Sequence, residues 1–290
     1  MRIGVVFPHN EIGNDPAVIR DYVQAIEGLG FRHLLAFDHV LGANPASYPD
    51  IKFLYTHKNA FHEIFVLFGF LAAATRTLEL ASGVLVLSQR QTALVAKQAA
   101  AIDVLSGGRL RLGVGVGWNP VEFVALGENF HDRGKRIEEQ IAVLRALWTK
   151  ELVNFTGRWH TIRDAGLNPL PVQRPIPIWL GGQTDPVIRR VARVADGWIP
   201  GFYADKSSTL VETMHRYARE AGRDPAAIKI ERIVELRDGT PESWHAQIAA
   251  YRAMGVTHIA AAPMNAGLTS AAAHIAALER FKDAAAAFAS

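Results

Sequence analysis

What constrains this chain most is an alternation that runs from one end to the other. Short apolar runs, closed by Pro, Gly or a polar pair, are each followed by a longer stretch with helical spacing of its apolar residues. "RIGVVF" (2–7) precedes a helix opened at Asp15-Pro16 and stopped after Leu29 by Gly30, and "HLLAF" (33–37) precedes "IFVLFGFLAAAT" (64–75). "LELASGVLVL" (78–87) precedes a helix over 92–106 with Gly107-Gly108 at its C-cap. "LRLGVGV" (110–116) precedes a helix over 132–149, whose apolar residues fall at 137, 141, 144 and 148. "IPIWLGG" (176–182), "DGWIPG" (196–201), a strand near 228–234 and "HIAAA" (258–262) continue the series, with helices at 185–195, near 207–221, near 242–253 and at the end. About eight strand-helix units without a second composition zone predict an α/β fold, a closed (β/α)8 TIM barrel over residues 1–290. A doubly wound open sheet is the alternative.

Two stretches break the rhythm and predict insertions after strands 2 and 4. Residues 39–62 join a strand to a helix where a few residues would serve, and they carry Tyr48, Phe53, Tyr55, His57 and His62, which suit a lid over an organic molecule. Residues 151–175 contain a hairpin-like "VNFTGRWHTI" and a Pro-rich connector.

With 290 residues and 49% hydrophobic content, the chain has ample material for one large core. Its formal net charge of +3 is spread without single-sign runs, which argues against a nucleic-acid stripe. The absence of cysteine excludes disulfides, thiolate metal sites and cysteine nucleophiles. "MRIGVVFPHN" has no signal-type apolar core, and no apolar stretch approaches the roughly 20 residues of a membrane span. The expectation is a cytoplasmic protein with no nucleic-acid or membrane partner.

A barrel of this class works at the C-terminal ends of its strands, so the residues just after each strand are the ones to read for chemistry. "RLGVGVGWNPVEF" (111–123) places Gly113, Gly115 and Gly117 on one face and Leu112, Val114 and Val116 on the other. The branched residues suit the layer beneath the helices. The glycines then face the lumen, either filled by larger neighbours or left as a slot for a flat ligand. The spacing matches neither a P-loop nor the dinucleotide fingerprint. Asp38-His39 leave a buried strand: the histidine suits proton transfer near neutral pH, and the carboxylate suits orientation or binding. A structural Asp-His pair is the other reading. No second ligand stands at metal spacing on that element, so no metal is expected. "WLGGQTDPVI" offers Gly181, Gly182 and the helix N-terminus at Thr184 as a phosphate nest, and equally an ordinary strand-to-helix turn. Ser82-Gly83 inside the third strand points to a bulge.

These stretches, in this order, resemble the bacterial luciferase-like family. Residues 96–148, "AKQAAAIDVLSGGRLRLGVGVGWNPVEF…ALW", and 175–200, "PIPIWLGGQTDPVIRRVARVADGWIP", are closest to its branch of deazaflavin (coenzyme F420)-dependent oxidoreductases. The resemblance implies a flat ring at the C-terminal mouth, backed by a non-proline cis peptide at Ser82-Gly83. The ring would pass Val116, Gly117 and Trp118, with its phosphate at Gly181, Gly182 and Thr184. Asp38 would contact the cofactor, and His39 would be the catalytic residue. Sugar-phosphate dehydrogenases of the branch carry a glutamate where this chain has Trp118, so an apolar or aromatic small-molecule substrate is expected instead. Glu122, one helical turn on, is a partial substitute for that acid, and His39 remains the one named proton-transfer residue. The alternatives are an FMN-dependent luciferase-like monooxygenase and a non-catalytic flavin-binding protein; no strand-end lysine supports a Schiff-base lyase. Relatives of this family often dimerise, so the resemblance admits a homodimer, while the residues themselves do not say which assembly forms.

Overall fold

A computed structural model describes residues 1–201 and 207–289. Parallel strands close on themselves: β3 (Glu79–Ser82), β2 (His33–Ala36), β1 (Arg2–Val6), β11 (His258–Ala262), β10 (Lys229–Glu235), β9 (Gly197–Ile199), β8 (Ile178–Gly181) and β5 (Leu110–Gly115), with β5 pairing back to β3. β4 (Leu85–Val86) continues the wall of β3 after Gly83-Val84 and also pairs with β5. The expected TIM barrel is the fold. The hairpin β6 (Val153–Thr156) and β7 (Thr161–Ala165) forms the insertion after the fourth barrel strand. Residues 39–62 hold only a 3-10 turn at Pro45–Ser47.

The outer helices follow local rules. α1 (Pro16–Gly28) starts where the Asp15 carboxylate accepts the Ala17 N–H, and Pro16 stands where no N–H is needed. It buries Ile19, Tyr22, Val23 and Ile26 against the barrel. α2 is Ile64–Ala74, and α3 (Thr92–Ser106) ends on Gly107 in the left-handed region at φ 69°. A short helix absent from the sequence reading, α4 (Pro120–Ala125), starts at Asn119, whose side chain accepts the Val121 N–H. α5 (Arg133–Thr149), α6 (Asp185–Val194), α7 (Ser207–Glu220), α8 (Pro241–Ala253) and α9 (Ala271–Ala285) complete the ring.

Strand alternation divides the interior into two layers. Val5, Leu34, Leu80, Leu112, Val114, Ile178, Trp198, Ile230 and Ile259 face the helices in the large apolar core. Val6, Leu35, Ala81, Trp179, Ile199 and Ala260 form a smaller cluster inside the barrel. Toward the N-terminal end, the lumen is instead ionic. Arg111 donates to Glu79 and to Glu231, each at 2.6 Å, and His33 Nε2 lies 2.5 Å from Glu231. The Arg111 guanidinium also covers the Trp179 ring at 4.2 Å. Burial opposes the Glu231 charge, but Arg111 and then His33 outweigh it and hold that carboxyl well below its usual range.

Candidate active site at the barrel mouth

The glycine face of β5 does not border an open slot. A Cβ at Gly113 would collide with the Ser82 carbonyl, and one at Gly115 would lie 2.5 Å from Val84 Cγ2. A Cβ at Gly181 on β8 would lie 2.7 Å from Val84 Cγ1. What comes close to the bare backbone is the protein's own third strand. The interruption between β3 and β4 carries Val84 over the adjacent strand β5, and the glycines of β5 and of β8 beyond it make room for it. The cis peptide is Gly83-Val84, one bond later than the sequence reading placed it. Ser82 Oγ donates to the Gly113 carbonyl at 2.7 Å, and Gly83 N–H donates to the Ala36 carbonyl at 2.7 Å, so the bulge is tied on both sides. Gly117 has φ +71°, and a Cβ there would lie 2.5 Å from Val86 Cγ1.

Asp38 and His39 leave β2 in opposite roles. The Asp38 side chain is fully buried; it accepts from Arg90 at 2.7 Å and from the Val86 N–H at 3.0 Å. Arg90 also donates to Glu63 at 2.8 Å. Burial pushes the Asp38 carboxyl above its ordinary range, while Arg90 and the Val86 N–H pull it back. Asp38 therefore pins β4, and with it the bulge, to the loop after β2. His39 turns toward the mouth. Its Nδ1 lies 3.5 Å from Glu122 Oε1, and its ring packs against Phe61 at 4.8 Å, Tyr55 at 4.9 Å and Trp118 at 5.9 Å.

Glu122 is the residue the sequence reading undervalued. α4 carries it back over the mouth, where it is 2% exposed. Its Oε1 accepts the N–H groups of Val40 at 2.8 Å and Leu41 at 3.1 Å. Burial works against its charge, yet the His39 contact and those two amides hold the carboxyl below its usual range. His39 thus has an ionised partner fixed by backbone. The signal was present in "WNPVEF": Asn-Pro opens a helix, and a helix that starts at Pro120 returns residue 122 to the strand end.

Within residues 39–62, Tyr55 and Phe61 meet edge-to-face at 4.8 Å and, with His39 and Gly42, line a cavity of about 60 Å³. His9, after β1, accepts the Phe37 N–H on Nε2 at 3.0 Å and lies 5.0 Å from Phe61. Burial, followed by the nearby His62 and His39, lowers its pKa to about 3, so it is neutral at physiological pH.

The other rim holds the nest. Gly182 adopts φ +113°, donates to the Ile199 carbonyl and accepts from the Trp198 indole at 2.7 Å. Thr184 is the N-cap of α6 and makes no side-chain cap bond. The carboxylate of Asp185 is turned away, held by Arg189 at 2.8 Å and by the Tyr217 hydroxyl. The α6 N-terminus is thus clear of its own negative charge, which suits an anionic group. Val116 is half-buried against the outer core, while Trp118 and Phe53 approach at 6.2 Å over the mouth. The structure thus gathers His39, Trp118 and the Val84 bulge at the mouth, and sets Asp38 behind the bulge.

Comparison with known proteins agrees with this frame. The family model described as luciferase-like monooxygenase matches residues 1–285. An uncharacterized protein of Mycobacterium tuberculosis is 42% identical over 164 residues, 56% of either chain. An FMNH(2)-dependent dimethylsulfone monooxygenase of Pseudomonas putida is 38% identical over 139 residues, covering 47% of this chain and 38% of that one. The matched region thus spans about half or less of the length of these relatives. Among solved structures, monooxygenase RslO1 from Streptomyces bottropensis superposes with a TM-score of 0.82 at 18% identity over 99% of both chains. The coenzyme F420 dependent tetrahydromethanopterin reductase from Methanopyrus kandleri gives 0.76 at 15% identity over 97% of this chain and 99% of that one. At these identities the two structures speak for the fold alone. Among the described residues, no helix is long and apolar enough to cross a membrane.

Proposed function

The chain belongs to the luciferase-like monooxygenase family, and from that premise we propose that it is a deazaflavin (coenzyme F420)-dependent oxidoreductase acting on an apolar organic small molecule. The family has F420- and FMN-dependent relatives. The observation that carries the reading is the His39–Glu122 pair beside Trp118. Hydride transfer to or from carbon is accompanied by a proton, and this pair is built to move one. The bound cofactor would supply the hydride chemistry.

The residues present fit such a group. Val84, seated in the clearance left by Gly115 and Gly181, offers an apolar backing for a flat ring. Gly117 and Trp118 supply a second wall, and Gly181, Gly182 and Thr184 present the α6 N-terminus to a phosphate. Asp38 serves the seat by holding β4 in place, with Ser82 and Gly83 as the hinge of the bulge. His39 exchanges the proton with the substrate. Glu122, kept ionised by two amides, orients the imidazole and stabilises its charged form. Tyr55, Phe61 and Trp118 surround the reacting centre with apolar surface that excludes water.

A second reading keeps the mouth and changes the cofactor to reduced FMN, with oxygen as co-substrate. The name of the Pseudomonas putida relative favours it. A competition titration of oxidised F420 against FMN separates the two. The first reading expects F420 to bind in the micromolar range, roughly −8 kcal/mol, and FMN to displace it poorly. Tighter FMN binding would transfer the assignment to the monooxygenase, and binding of neither would remove both. A non-catalytic flavin carrier would bind and show no turnover that depends on His39.

A further inference from the structure

The loop after β8 enters the mouth through a peptide whose direction is set from outside the barrel. Gly182, at φ +113°, holds a backbone conformation that residues with side chains rarely adopt. Both of its polar groups are engaged on β9. Its N–H donates to the Ile199 carbonyl at 3.1 Å, and its carbonyl accepts the Trp198 indole N–H at 2.7 Å. The pairing of Gly181 with Ile199 brings the two segments together.

Trp198 stands on the outer side of β9. Its side chain is fully buried in the large core beneath the helices, whereas Ile199 and Gly197 on either side of it face the lumen, Gly197 against the Trp179 ring. The Gly182 carbonyl therefore points outward, to the indole. The Gly182-Gln183 peptide is trans, and in a trans peptide the carbonyl and the next N–H point opposite ways. The Gln183 N–H thus points inward, to the mouth. It makes no hydrogen bond among the described residues, and neither do the N–H groups of Thr184 and Asp185 that follow it.

Glycine at 182 makes such a hold necessary. A peptide flanked by glycine turns over easily, because no side chain restricts the rotation. What stops it here is the bond to its carbonyl. The indole has one polar group, a donor, and spends it on that oxygen. A phenyl ring at 198 would fill most of the same space and leave the carbonyl without this partner.

We propose that Trp198 is a positioning residue for the phosphate of the cofactor. It touches no ligand. It holds the Gly182 carbonyl outward and so keeps the Gln183 N–H turned to the phosphate from one step before the helix cap. The role rests on the phosphate lying at Gly181, Gly182 and Thr184, and it holds for either cofactor, since both carry that group.

The test compares ligands with and without the phosphate, so it needs no substrate. Fluorescence titrations at fixed ionic strength give dissociation constants for FMN and riboflavin, and for the deazaflavin chromophore with and without its terminal phosphate. They are run on the unaltered full chain, on Trp198→Phe, and on a chain with benzothienylalanine at position 198. Benzothienylalanine keeps the bicyclic ring and puts sulfur in place of the N–H, so the core stays filled where Phe leaves a void. In the pair that binds more tightly, the unaltered protein should prefer the phosphate-bearing member by at least about tenfold. Both replacements should cut that preference by about tenfold and leave the phosphate-free member within about twofold of its original affinity. A preference that survives both replacements would overturn the role of Trp198 and leave the phosphate placement standing. Equal weakening of both members would make Trp198 a packing residue and overturn the role as well. No preference in the unaltered protein would overturn the phosphate placement, and the role with it.

Discussion

The two ends of the barrel lumen solve opposite problems. At the N-terminal end the inward residues are charged, mutually paired and closed to solvent: Arg111 between Glu79 and Glu231, His33 on Glu231, Trp179 beneath the guanidinium. At the C-terminal end the inward positions include glycine, valine and aromatic rings, and His39 Nδ1 lies 3.5 Å from Glu122 at the mouth. The first arrangement fixes one packing, because every charge there needs its partner. The second spends backbone clearance on a protruding bulge and leaves a histidine beside a buried carboxylate. Paired charge is concentrated at one end of the lumen, and the proposed chemistry lies at the other.

The comparison breaks most visibly at Arg111. Arg111→Met leaves the fully buried Glu231 with His33 as its remaining partner and Glu79 with Arg2, and a loss of about 3–5 kcal/mol is expected in denaturant melts. Any folded fraction should retain its affinity for the cofactor at the mouth. A loss under about 1 kcal/mol would mean the ionic layer does not hold the barrel. His39→Gln should do the reverse, lowering turnover by roughly 10²–10⁴-fold with little change in melting behaviour. Glu122→Gln tests the same pair. It keeps an oxygen for the Val40 and Leu41 amides and removes the charge beside His39, so turnover should fall by up to roughly 10²-fold with little change in melting. Unchanged turnover would leave Glu122 a purely structural residue.

Acid provides a third contrast. His258 at the ionic end and His9 at the mouth both have pKa values lowered to about 3, each chiefly by burial, and His274 is lowered to about 4 by the same cause. Unfolded, all three bind a proton near pH 6.5, the ordinary value of histidine. Their folded values are depressed, so the stability they contribute is complete above that value and is lost as the pH falls toward the folded values. Unfolding free energy should therefore drop between pH 6.5 and about 4, by up to roughly 1.4 kcal/mol per pH unit for each histidine. A flat profile across that window would contradict their burial as neutral rings. The smallest effect is expected at Gly115→Ala. The new Cβ presses Val84 out of its seat, at a cost of about 1–3 kcal/mol, and the displaced bulge should weaken cofactor binding more than the melt suggests.

How much of this was legible depends on distance along the chain. Helix starts at Asp15-Pro16, the stop at Gly107 and the strand-helix rhythm are local signals, and they led to the barrel. The glycines of β5 lie on the face that the alternation points to, yet Gly115 clears space for Val84 and Gly113 for the Ser82 carbonyl rather than directly for a ligand. A single strand does not say which neighbour fills its clearance. The ionic layer was missed because its partners are remote, Arg111 and Glu231 being separated by 120 residues. Its trace is a charge set inside an apolar strand, as in "LELAS", "LRLG" and "IERIV". Glu122 needed the short helix α4 before its return to Val40, 82 positions away, became visible. Asp38 was expected at the cofactor, and its carboxylate is engaged by Arg90 and Val86, two groups that no local pattern connects to it.

The central claim is that the mouth is a seat for a flat redox ring within reach of His39. A crystal structure of the protein soaked with F420, and in parallel with FMN, tests it most directly. The account predicts ring density over Val84, flanked by Gly117-Trp118 and facing His39, with the phosphate at Gly181, Gly182 and Thr184. A ring bound elsewhere, or a mouth left empty at saturating concentrations of both, would contradict it.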